Sequence, residues 1–352
     1  MQRGDFSYNV SIMKKTASIA ALIALIIICA VVFTACNNAT TQGQLEDVWQ
    51  SYEKYVYKIT DGEGGDEIGS YVNEIKLVKV PSATEDNPAP SVDVQVGSVD
   101  GTTYKTSRNG YLITGMLVFD EGNSVTGKET VSETACFFEL SNGNTFLVPK
   151  ATYRRTVEDG AVTALMNGTY DGSTLSYTLK ADGAQDKSGQ IALGNPFYDN
   201  NEFHQSLRGV STFSAAFSFS FSTPVVNNGE ITAASLTAMV TGTETVTTGI
   251  TVTDDKGETV PYEIECYKTM LGRATTVAGV SQTLYYAVNP VYALLDENGN
   301  TYISDKEYDL GKLVHVLAKI KEPYKLTDEN GNVKRSGEIV YTLESLALNK
   351  HT

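Results

Sequence analysis

The sequence predicts a mostly β protein: a strongly curved antiparallel sheet, an open or half barrel, wrapping one or more short helices. Three observations carry this. Apolar and aromatic residues alternate with polar ones at period two along much of the chain. Asp-Gly and Asn-Gly steps interrupt the alternation where hairpin turns belong. Long helical periodicity is nearly absent, while 20 tyrosines among 352 residues suit strands better than helices.

The first element is not part of that sheet. Residues 17–35, ASIAALIALIIICAVVFTA, form an uncharged run preceded by Lys14 and Lys15 and followed at once by Cys36. A run of this length could span a bilayer, but it also has the charged, apolar and small-residue order of a secretory signal. Thr34 and Ala35 are small, and NNATTQGQ follows without a Lys or Arg. The arrangement resembles a bacterial lipoprotein signal, with Phe33 where an aliphatic residue is usual. That resemblance implies cleavage before Cys36 and a diacylglyceryl group on its thiol. An uncleaved anchor and an ordinary secreted protein are the competing readings. Met13 is the natural start, residues 1–35 the signal and 36–46 a flexible tether. The implied localisation is the cell membrane, lipid-anchored on its outer, extracytoplasmic face, with the membrane as a partner through that anchor.

A β-rich domain over 47–348 follows, with a candidate subdomain junction at 185–196. It opens with a short helical start that passes into a strand in which Tyr55, Tyr57 and Ile59 alternate. GEGGDEIG (62–69) is a turn and YVNEIKLVKV (71–80) a strand. PSATEDNPAPS is an extended loop. Strands follow at 91–98, 110–119, 133–140 and 144–157, then two about the Asp171-Gly172 turn. Beyond position 230 the strands are ITAASLTAMVTGT, ETVTTGITVTD, VPYEIECYKTML, QTLYYAVNP, LVHVLAKIKEP and EIVYTLESLAL. The total is twelve to sixteen strands with one to three short helices, stacked or closed on themselves.

One segment breaks the rhythm. In NPFYDNNEFHQSLRGV (195–210), Asp199 or Asn200 can start a helix and Gly209 can stop it, which predicts a helix over 197–209. Phe203 and Leu207 share a face; His204 and Arg208 form a parallel pair, read as a surface face with Asp199 and Glu202 nearby. In the next strand Phe213, Ala215, Phe217, Phe219 and Phe221 point one way. This ladder needs a cover of helix, sheet or ligand. Phe203, Leu207, Phe213, Phe217, Phe219 and Phe221 are therefore the candidate pocket residues, with core packing as the plainer reading of the ladder.

The order Trp49, Tyr55, Tyr57, then FYDNNEFHQSLRG, the Phe-alternating strand, VPYEIECYK, QTLYYAV, LVHVLAKIK and EIVYTLE resembles a group of uncharacterised Gram-positive lipoproteins. These in turn are similar to the half-barrel envelope proteins of the lipoprotein-localisation type. The resemblance spans roughly 45–345 and implies an apolar cavity between a curved sheet and short helices. The anchor on this chain argues against a shuttling carrier.

From Cys36 onward there are 24 Lys and Arg against 41 Asp and Glu, a formal charge of −17. Nucleic acid is excluded as a partner, because it needs a basic footprint. Cys136 and Cys266 sit in strand-like runs and read as two separate buried thiols, with one disulfide as the alternative. GxSxG, HExxH, Walker A and dinucleotide glycine patterns are absent. DENGN at 296–300 and 328–332, and DEGN at 120–123, lack the ligands of a calcium loop and read as turns. Glu263 and Glu265 share a strand face that solvation explains. No metal, cofactor or catalytic residue is expected. The preferred function is non-enzymatic binding of an apolar ligand, a lipid or hydrophobic peptide, in the concave face. The first alternative is a structural or adhesive surface protein contacting glycan or envelope proteins, with Tyr285, Tyr286 and Tyr292 as exposed aromatics. The lesser alternative is an envelope hydrolase.

Overall fold

A computed structural model describes residues 51–140, 147–183, 185–199, 203–209, 218–227, 230–253, 256–273, 280–289, 291, 293–295, 301–303, 315–327 and 333–349. The first half of the chain forms β1 (Tyr52–Asp61), β2 (Glu67–Val78), β3 (Val92–Val96), β4 (Thr102–Thr106), β5 (Gly110–Phe119), β6 (Thr130–Leu140), β7 (Leu147–Glu158), β8 (Ala161–Asp171), β9 (Thr174–Ala181) and β10 (Lys187–Ala192). A four-residue helix α1 (Phe203–Ser206) then runs into a 3-10 turn, Leu207–Gly209. The second half forms β11 (Ser218–Asn227), β12 (Glu230–Thr253), β13 (Thr259–Arg273), β14 (Val280–Ala287), β15 (Ala293–Leu295), β16 (Thr301–Ile303), β17 (Leu317–Thr327) and β18 (Val333–Asn349).

Fourteen of these strands make one antiparallel sheet, ordered β10-β9-β8-β7-β6-β5-β2-β1-β18-β17-β14-β13-β12-β11. The first described strand, β1, lies in the middle of the sheet. The chain walks by hairpins to one edge, crosses to the other edge and walks back until β18 lies beside β1, with Tyr55 opposite Leu346 and Tyr57 opposite Leu343. β3–β4 and β15–β16 are satellite hairpins inserted into this meander. A twisted sheet rarely exceeds about ten strands without curling, and this one curls without closing its ladder. Its ends are instead drawn together by the crossover: Tyr198 N–H donates to Ser222 O at 3.0 Å and Ser222 N–H to Pro196 O at 2.8 Å. Lys187 on β10 pairs with Glu230 on β12 at 3.2 Å. Met166, Tyr170, Leu175, Leu179 and Leu193 form one apolar cluster with Ile231 across the same seam.

Alternation decides which side of each strand is inside. On β1, Glu53, Tyr55, Tyr57 and Ile59 are fully buried, while Lys54 and Lys58 point out to pair with Glu74 and Glu344. Such exposed pairs contribute little, but they mark the convex face of the central strands as wetted. The main core is the concave side, where Ile75, Tyr111, Ile113, Tyr286, Leu317, Leu343 and Leu346 meet the β1 tyrosines.

Three expectations need correcting. The helix is shorter than 197–209: Phe197 and Tyr198 are extended against β11, and helical geometry is described only from Phe203. Asp199 is not a helix cap but a buried acceptor for the Tyr170 hydroxyl at 2.5 Å. Tyr285 and Tyr286 are buried in the sheet, leaving neither exposed for stacking on a sugar; Tyr292 lies outside the described residues. Cys136 and Cys266 are both buried and no disulfide joins them; burial lifts the Cys266 thiol to about 12. Glu263 and Glu265 are exposed, as a solvated strand face requires.

The β3–β4 hairpin is packed on the sheet by Val94 and Val96 against Phe137, Tyr153 and Leu165. Gly97, at φ +92°, ends β3 with its α-carbon against the Tyr153 ring. A side chain there meets both a left-handed backbone and that ring. Gly97→Ala is expected to destabilise the protein by about 1–3 kcal/mol, read as a shift of the urea midpoint with unchanged circular dichroism.

Candidate functional site

The described parts of the crossover, residues 193–199 and 203–209, are fastened to opposite arcs of the curved sheet. Arg208, at the end of the 3-10 turn, is 1% exposed, and its Nη1 lies 2.8 Å from Glu53 Oε2 on β1. The Tyr55 hydroxyl touches both members of this pair, and its ring centroid lies 5.3 Å from the guanidinium carbon. Burial opposes the Arg208 charge, but Glu53 and Tyr55 outweigh it and hold the guanidinium protonated more firmly than usual. Burial and the Glu53 charge push the Tyr55 phenol well up, against the pull of Arg208, so it remains a neutral donor.

The rest of the segment is held as closely. Tyr286 on β14 donates its hydroxyl to the His204 carbonyl at 2.8 Å, and His204 Nε2 lies 2.7 Å from Gln282 Oε1 on β14. On the other arc, Asp199 takes the Tyr170 hydroxyl and couples electrostatically to Arg154 of β7. His204 and Arg208, expected on a surface face, are thus turned into the sheet. Arg208 braces a carboxylate, but a buried one.

Beside this plug the sheet lines a half-open cavity of about 380 Å³. Its wall is contributed by both arcs: Tyr71 (β2), Leu117 (β5), Ser132 and Thr134 (β6), Arg154 and Thr156 (β7), then Gln282 (β14), Ile320 and Glu322 (β17), Tyr341 (β18) and His204 of α1. β7 and β17 are six ladder steps apart in the sheet, about 29 Å if it were flat. Only tight curvature lets them face one cavity. One side is apolar and aromatic, with Tyr71 and Tyr341 edge-to-face at 6.2 Å between centroids. The other is hydroxyl-rich. Between them runs a hydrogen-bond chain from His204 to Gln282, from Gln282 to Glu322, and from Tyr341 to Glu322. Burial raises Glu322 above the ordinary carboxylate range, lifts the Tyr71 phenol to about 12 and lowers His204 to about 4. His204 is therefore neutral at physiological pH and donates through Nε2.

The candidate pocket residues distribute differently. Leu207, Phe219 and Phe221 are buried in the main core, the two phenylalanines stacked on each other and edge-on to Tyr198. None of them lines this cavity. Phe203 begins α1; Phe213, Phe217, Glu202, Asn200 and Cys36 lie outside the described residues. The residues that do line the cavity were missed because their signal is not local. They are the inward positions of seven strands, and only register brings them together. A single clue was present: Glu53 and Glu322 are charges on strand faces otherwise filled by Tyr, Ile and Leu. Among the described residues no group of His, Cys, Asp and Glu is arranged to hold a metal, and no helix is long and apolar enough to cross a membrane.

Fold and site together define a barrel-like architecture: a single curled antiparallel sheet, an internal plug and a cavity beside it. No protein-family model and no curated protein matches the chain. Among solved structures, a beta-barrel-like protein of a domain of unknown function, DUF1849, from Brucella abortus is similar, with a TM-score of 0.40 and 10% identity over 86% of this chain and 99% of that one.

Two predictions follow from the plug. Removing one member of a buried ion pair strands the other, which costs about 3–5 kcal/mol, whereas replacing both by apolar residues does not. Glu53→Leu should therefore destabilise strongly, and Glu53→Leu with Arg208→Met should recover most of the loss, as measured by equilibrium unfolding in urea. The second concerns pH. The unfolded chain takes up a proton on His204 near pH 6.5 that the folded chain refuses until about 4. Stability present above pH 6.5 is lost as the pH falls through that window. Glu322 works in the opposite sense, its penalty growing as the pH rises. The His204 part is isolated by comparing wild type with His204→Gln: the wild type should lose up to about 3 kcal/mol more between pH 6.5 and 4.

Proposed function

We propose that this chain is a lipid-anchored, extracytoplasmic binding protein, non-enzymatic, that holds a small ligand with an apolar part inside the curled sheet. The observation that carries this reading is the 380 Å³ cavity beside the plug, whose Leu117, Ile320, Tyr71 and Tyr341 offer apolar surface and whose hydroxyls and amide can orient a polar group. A mostly apolar wall with a few convergent polar groups is the usual make-up of a small-molecule site. The size favours a compact molecule over the lipid or hydrophobic peptide that the Phe ladder suggests. The anchor rests on the residues 17–36, where a cleavable apolar run ends in Thr-Ala-Cys. Two acyl chains on Cys36 would give firm attachment where one would be marginal.

Both halves are testable. The neutral fluorophore N-phenyl-1-naphthylamine should bind at one saturable site, and Leu117→Trp, which fills the cavity, should abolish that signal without lowering the melting temperature by more than a few degrees. No saturable binding, or binding indifferent to Leu117→Trp, overturns the lumen site. Intact mass of membrane-extracted protein should show a chain starting at acylated Cys36, and Cys36→Ser should move the protein to the soluble fraction.

A further inference from the structure

The cavity contains one group that its own neighbours do not neutralise. Among the described residues Glu322 has no basic partner within ion-pairing distance; its hydrogen bonds come from Gln282 and Tyr341, both neutral donors. The lysine next to it in sequence, Lys321, points to the other side of the strand and pairs with Glu63 at 2.8 Å. The other charged group of the lining, Arg154, is coupled to Asp199, which offsets its charge. His204 is held neutral. What is left is an inward carboxylate beside the edge-to-face pair of Tyr71 and Tyr341. An inward carboxylate that shares its wall with two tyrosine rings, Leu117 and Ile320 is an environment that suits a cation with apolar substituents.

We propose that the lumen cavity selects a small organic ammonium compound, its positive centre against Glu322 and the Tyr71 and Tyr341 rings, and its remainder toward Ser132, Thr134 and Thr156. This deepens the lumen-binding reading and rests on it. The carboxylate explains what an apolar ligand alone does not, namely why a strand face that otherwise carries Ala318, Ile320, Tyr324 and Leu326 has a Glu between them. The groups whose charge could alter this preference are those that share the cavity: Tyr71, Tyr341, His204 and Arg154 with its partner Asp199. Of these, the phenols are held above their usual range and stay neutral at physiological pH. Binding should then weaken as the pH falls and Glu322 takes up its proton. Burial sets that loss at a higher pH than an ordinary carboxylate would.

The test compares choline with its uncharged isostere 3,3-dimethyl-1-butanol by isothermal titration calorimetry on the full-length protein. Choline should bind at least tenfold more tightly to the wild type, the preference should disappear in Glu322→Gln, and Tyr71→Leu should weaken choline severalfold while sparing the alcohol. The wild-type comparison needs no variant, so a poorly folding Glu322→Gln does not remove the test. Equal affinity for the two probes overturns the ammonium preference and leaves the lumen site standing, because the alcohol still binds. Failure of both probes to bind overturns the ammonium proposal; the fluorophore and Leu117→Trp then decide separately whether the lumen binds anything.

Discussion

The ion pair between Arg208 and Glu53 is the constraint on which the interior depends. A fourteen-stranded meander that begins at its own centre has two free edges, which are joined by the crossover segment together with the Lys187–Glu230 pair and the packing of Ile231 on Met166 and Leu179. The helical part of that segment is short: α1 and the 3-10 turn together are seven residues, below the length at which a helix is stable alone. Leu193, Tyr198 and Leu207 pack it into the apolar clusters, and polar anchors fix its position, Arg208 to Glu53 on one side and Asp199 to Tyr170 and Arg154 on the other. A buried pair of this kind contributes little net stability compared with an apolar replacement. Its use is positional. An apolar plug could slide along the concave face, whereas a guanidinium needs its carboxylate at one place in the register.

That position has consequences for the cavity. His204 lines it because Tyr286 holds the His204 carbonyl and Arg208 holds the end of the same turn. The plug therefore forms one wall, and the sheet forms the others with residues drawn from strands on both sides of β1. The site is assembled by curvature rather than by any one element. In the proposed reading, Tyr71, Leu117, Ile320 and Tyr341 would supply affinity for a hydrocarbon part, and Glu322 would supply a direction.

Much of the fold was legible in the sequence. Strand positions followed from alternation, and β1, β2, β5 and β6 lie where Tyr55–Tyr57–Ile59, YVNEIKLVKV, GYLITGMLVF and ETACFFEL place them. The helical interruption among the described residues was visible in FHQSLRG. What alternation cannot give is which of two faces meets which partner from the far end of the chain. Tyr285 and Tyr286 read as exposed because two adjacent tyrosines point to opposite faces, and one face of an antiparallel sheet is often wet. Here both faces of that strand are covered. Arg208 read as a surface residue because its partner, Glu53, is 155 positions away. The charged residues inside the sheet had no local signature beyond lying on strand faces that are otherwise aliphatic and aromatic.

Hydrogen exchange by mass spectrometry on wild type and Glu53→Gln tests the fastening role of the ion pair most directly, since the substitution keeps the shape of the side chain and removes only its charge. Residues 193–209 and the edge strand Ser218–Asn227 should exchange faster in the variant, while Thr130–Leu140 and Leu147–Glu158, well away from Glu53 in the ladder, should be unchanged. Unchanged exchange in the crossover, or a uniform rise across the whole sheet, would contradict it.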